Sequence, residues 1–265
     1  MPVNKDFFAA ENINSGFFGF ESYMSPSITY SRSFKNYDNN FVSSLYCHSW
    51  SPLCNQADIS DSNRVIFPVT TTDSTKSYFY LMDIRFSLSS APPFSVSNFT
   101  KIALGGSNNF PGVVNTVHFN NRFLVSISDT TYLIREDFSI KPVMTNFTPF
   151  LSIFTYNGNY YATAMNNSGG LIYETTNNGE TWTLQYNLNN RGTVIINFDN
   201  NLIAIYQSQL WQVTLGATSI SFKEIVNDGL TGKTITGLVK CNNKVWISTN
   251  GGVFYRPYNQ FYQFK

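Results

Sequence analysis

The feature that most restricts the fold of this chain is a phrase, a polar hairpin turn followed by an apolar strand, that occurs four times. It reads Phe119-Asn120-Asn121-Arg122-Phe123-Leu124-Val125, Tyr156-Asn157-Gly158-Asn159-Tyr160-Tyr161-Ala162, Phe198-Asp199-Asn200-Asn201-Leu202-Ile203-Ala204 and Cys241-Asn242-Asn243-Lys244-Val245-Trp246-Ile247. From Asn121 to Asn159, Asn201 and Asn243 the steps are 38, 42 and 42 residues. A period of about 40 residues belongs to repeated antiparallel sheets. Helical repeats are excluded, because no window sustains the apolar spacing of three and four that they need.

The unit from Tyr160 to Thr183 shows the pattern best. Runs at Tyr160–Ala164 and Leu171–Thr175 flank a Gly-containing turn, and a second turn at Asn177-Asn178-Gly179 leads into a third run around Trp182–Leu184. Strand, turn, strand, turn, strand is the grammar of an antiparallel meander. The last unit repeats its opening, with the turn Asn250-Gly251-Gly252 between Val245–Thr249 and Val253–Arg256, and a second turn at Pro257–Gln260. Towards the N-terminus, Ser77–Asp83 and Asn40–Tyr46 are expected in two successive units. The expected fold is all-β: a single β-propeller of about six four-stranded antiparallel blades, with five to seven admissible, over residues 36–265. Residues 1–35, with Phe7-Phe8 and Phe17-Phe18 pairs, are expected either to close the ring with a strand or to form an arm that docks on a partner.

The second turn of the best unit, Thr175-x-Asn177-x-Gly179-x-x-Trp182, resembles the Asp-box of sialidase-like propellers. The resemblance gives Asn177 the place of the Asp that accepts hydrogen bonds from the turn's backbone, and Thr175 that of the usual Ser. Gly179 supplies the positive φ, and Trp182 packs between strands. Sialidases also carry an arginine triad, a Tyr–Glu nucleophile pair, an Asp acid and an Arg-Ile-Pro element. No Arg-Ile-Pro occurs here, and Ile84-Arg85-Phe86 is the nearest phrase. Glycoside hydrolysis in general asks for two placed carboxylates, and those between Asp6 and Asp83 stand in no telling context. Glu174 and Glu180 flank the box and are read as solvated turn charges. Since the sequence also has no nucleophile elbow, no His-Glu-x-x-His helix and no phosphate loop, the chain is read as noncatalytic, with no cofactor.

Charge narrows the partners. The 265 residues carry a net charge of +1, and only 12% are charged, whereas 17% are aromatic. No basic stripe is available to follow a phosphate backbone, so nucleic acid is excluded as a partner. No apolar run reaches about 18 residues, and Met1 is not followed by a basic-then-apolar leader, so no membrane partner or secretion is expected. The sequons at Asn98, Asn146 and Asn166 are then products of Asn abundance. Cys47, Cys54 and Cys241 are an odd number, which predicts free thiols acting as small buried hydrophobes. With His48 and His118 they do not make the paired spacing of a zinc site, so no metal is expected.

The polar positions are filled by Asn, Ser and Thr beside many Tyr and Phe, the mixture that suits binding surfaces. By composition the chain is similar to tail or collar accessory proteins of bacteriophages of AT-rich hosts. The resemblance implies a noncatalytic structural or adaptor protein of the virion, made in the host cytoplasm, contacting other virion proteins in several copies through a propeller face. Two alternatives stand beside it. One is a carbohydrate-binding or glycosidase propeller recognising a glycan. The other is a cytoplasmic assembly factor similar to the propellers that help build photosynthetic complexes.

Overall fold

A computed structural model describes residues 17–21, 29–33, 41–44, 58–60, 62–71, 76–86, 94–104, 115–127, 129–145 and 148–265. Contacts divide the chain into two compact units, Met1–Ser49 with Gln56–Gly112, and Trp50–Asn55 with Val113–Lys265.

In the first unit, β1 (Phe17–Glu21) and β2 (Thr29–Ser33) form an antiparallel hairpin. The strands β3 (Phe41–Ser44), β5 (Arg64–Thr71), β6 (Ser77–Phe86) and β7 (Phe94–Leu104) make one sheet in that order, and the short β4 (Asp58–Ile59) pairs with β5. Its centre is apolar: Val65, Ile66, Phe79, Leu81, Met82 and Ile84 are buried. Arg64 closes one end, its Nε donating to Asp83 Oδ1 at 2.7 Å. The segments around Asn40 and Ser77, expected in successive blades, thus belong to a single sheet.

The second unit follows the repeat. Its first blade is β8 (Asn115–Phe119), β9 (Arg122–Ile127), β10 (Thr130–Ile134) and β11 (Ile140–Met144). The second is β12 (Phe150–Tyr156), β13 (Asn159–Met165), β14 (Gly170–Thr175) and β15 (Thr183–Leu188). The third is β16 (Val194–Phe198), β17 (Asn201–Tyr206), β18 (Gln209–Leu215) and β19 (Ile220–Ile225). The fourth has three strands, β20 (Ile235–Cys241), β21 (Lys244–Thr249) and β22 (Gly252–Pro257), followed by the short helix α1 (Tyr258–Phe261). Within every blade, chain order is spatial order and neighbouring strands are antiparallel. The chain is therefore all-β with the meandering blades of a β-propeller, and the described residues hold five blade sheets.

The recurring phrase explains the register. The first hairpin of each blade in this unit turns on two residues: Asn120-Asn121, Asn157-Gly158, Asp199-Asn200 and Asn242-Asn243. In the first three pairs both residues have positive φ, between 44° and 82°, and Asn242 has 54°. Tight hairpins need this left-handed backbone to match the strand twist, and Asn, Asp and Gly reach it at least cost. Where the turn is fixed, so is the register, and with it the face on which each apolar residue lands.

Those faces meet between blades. Val117, Phe119, Leu124 and Leu133 of the first blade pack with Phe150, Ala162, Ala164 and Leu171 of the second. Phe154, Ile172 and Leu188 pack with Ile195, Leu202, Ala204 and Val213 of the third, and Phe198, Ile203 and Ile225 with Ile235, Val245 and Ile247 of the fourth. β12 lies beside both β8 and β16. Buried hydroxyls stitch these seams: Ser126 Oγ accepts from Phe150 N at 3.1 Å, and Ser152 Oγ from Ile195 N at 3.2 Å. Asn197 does the same on the next register, accepting from Thr155 N at 2.7 Å and donating to Thr155 O at 2.8 Å.

Three local expectations are corrected. Pro257–Gln260 is the entry to α1, because the backbone after β22 bends back towards the third blade, where Tyr258 bonds Asp199 and Phe264 bridges to Ile225. Gly252 begins β22, and the turn is Asn250-Gly251 alone. Cys241 is an exposed free thiol at the end of β20, since it ends that strand beside a turn. Cys47, Cys54 and His48 lie outside the described residues. Among the described residues, no helix is long and apolar enough to cross a membrane.

Candidate functional site

The motif residues of the second blade form one hydrogen-bonded turn between β14 and β15. Thr175 Oγ1 accepts from Gly179 N at 2.9 Å and donates to Asn177 Oδ1 at 3.1 Å. Asn177 Oδ1 also accepts from Thr181 N at 3.0 Å, while its Nδ2 donates to Thr181 Oγ1 at 2.9 Å. Gly179 has φ of 83°, and a Cβ there would stand 2.5 Å from the tip of the Phe119 ring. Trp182 comes just before β15 and packs edge-on against Phe150 and Phe119, with centroids 4.9 and 6.1 Å away. The turn is thus pressed onto the preceding blade.

Glu180 fixes it there. Arg135, at the end of β10, donates from Nε and Nη2 to the two carboxylate oxygens at 2.6 Å each. Lys141 of β11 adds bonds to Glu180 Oε2 at 3.2 Å and to Glu180 O at 3.0 Å. Arg122 Nη1 donates to Asn178 O at 2.9 Å. The Arg135 fork first, and then Lys141, hold the Glu180 carboxyl well below the usual range, to about 2. Glu180 is therefore an inter-blade clamp and not a solvated turn charge. Glu174 is engaged as well, accepting from Asn159 Nδ2 and Tyr161 Oη at 2.8 Å each. Burial, reinforced by that carboxylate, pushes the Tyr161 phenol far above its ordinary value. Sequence reasoning missed the role of Glu180 because the cations facing it stand 39 and 45 residues earlier, and that of Glu174 because its partners come from the neighbouring strand β13.

The turn of the fourth blade is also a tether. Asn250 Oδ1 accepts from Thr234 N at 2.9 Å and Asn250 N donates to Thr234 O at 3.0 Å. Gly251 N donates to Thr249 Oγ1 at 3.1 Å, and Gly252 has φ of 121° in open space, so its glycine is required by backbone angle alone.

Two surfaces of this unit present side chains outward. The first is a cleft of about 350 Å³ between the second and third blades. Trp211 of β18 and Phe222 of β19 line it together with the amides Asn187, Asn189 and Asn190, and Leu188, Thr193 and Ile220 complete the lining. The segment after β15 closes on Gly169-Gly170, where a Cβ on Gly170 would meet Asn190 O at 2.6 Å.

The second is the outer face of the fourth blade. Strand alternation sends Leu238, Val245, Ile247 and Phe254 towards the third blade. The opposite row, Val239, Trp246 and Tyr255, is held in register across the three strands. Val239 is 58% exposed, Tyr255 57% and Val253 67%. The rings of Trp246 and Tyr255 lie 5.1 Å apart, and the Lys244 ammonium sits 4.1 Å from the Tyr255 centroid. Neither surface was visible in the sequence, since each joins positions separated by a turn or a blade.

No protein-family profile matches the chain, and no curated protein sequence matches it. Among solved structures, YCF48 from Cyanidioschyzon merolae is similar to it over 79% of this chain and 83% of that one, with a TM-score of 0.45 and 14% identity.

Proposed function

We propose that this chain is a noncatalytic structural or adaptor component of a bacteriophage particle, in the tail or collar, binding other virion proteins in several copies. The observation that supports it is the outer face of the fourth blade, where Val239, Val253 and Tyr255 stand exposed beside the half-buried Trp246, with the Lys244 ammonium over the Tyr255 ring. A contiguous, partly exposed apolar row with Trp and Tyr in it has the composition of a protein-binding centre, and rigid aromatics lose little entropy when bound. Lys244 selects the partner's chemistry. A matching surface offers an apolar patch with a carboxylate at its edge, which would pair with the ammonium already poised over the rings. The Thr175–Trp182 turn, which resembles an Asp-box, serves in this reading to hold the second blade on the first.

Mass spectrometry of gradient-purified particles tests the proposal. The chain is expected in several copies per particle. A chain found only in the host cytoplasm, as an assembly factor would be, overturns it.

A further inference from the structure

We infer that the cleft between the second and third blades binds a neutral saccharide, independently of the face on the fourth blade. Three properties of the lining select this class. Trp211 and Phe222 present ring surface, and Phe222 is 42% exposed in a place where a core residue would be covered. The electron-rich face of such a ring attracts the weakly positive C–H face of a pyranose, so a sugar can stack there. Next, Asn187, Asn189 and Asn190 bring three amide side chains that make no hydrogen bond among the described residues. Each offers a carbonyl acceptor and an NH₂ donor, the pair that bridges neighbouring hydroxyls. Finally, none of the lining residues is charged.

Those properties exclude the other ligand classes. An apolar ligand would cover the amides without satisfying them, which costs free energy. A charged one would lose water and gain no counter-charge. A hydroxyl-rich neutral ligand satisfies the amides and stacks on the rings, and a cleft of about 350 Å³ sits at the small end of ligand sites, suited to one or two sugar rings.

The test titrates the full chain with neutral disaccharides containing glucose, galactose or N-acetylglucosamine, reading intrinsic tryptophan fluorescence and ligand-observed NMR. At least one probe is expected to bind saturably in the millimolar range. Trp211→Ala and the exposed-site variant Asn189→Ala are each expected to weaken it about tenfold. Circular dichroism reports whether each variant is folded, and Asn189→Ala removes no core contact. No binding by any probe overturns the inference, as does binding that both folded variants leave unchanged. Preference for a sialylated oligosaccharide or an apolar peptide over every neutral sugar overturns the assigned class.

Discussion

Replacing Gly179 by Ala isolates the contact that presses the second blade onto the first. Two costs add. The backbone sits at φ of 83°, a region that costs an L-residue about 1 kcal/mol. The added Cβ would lie 2.5 Å from Phe119 Cζ, and carbon atoms settle at about 3.5–4.0 Å, so the ring must retreat by about 1 Å. That ring is buried against Tyr160 and Trp182, with centroids 5.2 and 6.1 Å away. Overpacking of this kind costs about 2 kcal/mol. The sum is about 3 kcal/mol of unfolding free energy.

Gly158→Ala is the control. It has φ of 82° with nothing within 4 Å, so only the backbone cost of about 1 kcal/mol applies. Urea denaturation followed by circular dichroism and tryptophan fluorescence measures both. In a Phe119→Leu background the cost of Gly179→Ala should fall to that of Gly158→Ala, a coupling of about 2 kcal/mol. Equal costs for the two alanines in the wild-type background would refute the clash, and an absent coupling would refute Phe119 as its source.

Other outcomes follow from the same geometry. The Glu180 carboxyl is depressed from an ordinary 4.5 to about 2, so its stabilisation is complete above pH 4.5 and fades as pH falls towards 2. Glu180→Gln should therefore be less stable than wild type by about 1–2 kcal/mol at pH 6, discounted for its partial exposure. As pH falls through 2 the two should converge in urea melts, and a gap unchanged by pH would contradict the clamp. Asn177→Ala, which removes the acceptor for Thr181 N, should cost about 1 kcal/mol, whereas Asn177→Asp, which keeps it, should cost less than half of that. In a Cys47→Ser/Cys54→Ser background the exposed Cys241 should react with an aromatic disulfide reagent at the rate of a free thiol without denaturant. Protection of that thiol until unfolding would contradict its placement.

The blades were legible in the sequence because each begins with a turn whose chemistry is local. Asn-Asn, Asn-Gly and Asp-Asn pairs announce positive φ, and the strand after them inherits its register. Thr175, Asn177, Gly179 and Trp182 were legible for the same reason, since their bonds close within one turn. Where partners come from distant strands the sequence was silent. Glu180 read as a solvent-facing charge until Arg135 and Lys141 stood beside it. Trp211 and Phe222 meet the amides Asn187, Asn189 and Asn190 only in the fold, because they belong to the next blade. The first unit was misjudged because β3 and β6 are joined in one sheet through a long intervening segment, and a fixed step of about 40 residues assigned them to two blades.

The most direct test of the proposed role compares incorporation of wild-type and Val253→Glu chains into particles by quantitative mass spectrometry. Val253 is 67% exposed, so a carboxylate there leaves the blade's own packing intact while placing an unpaired charge on the proposed binding face. Wild-type chain at several copies per particle, with the variant folded but strongly depleted, is the predicted result. Equal incorporation of the two, or particles that contain neither, would contradict it.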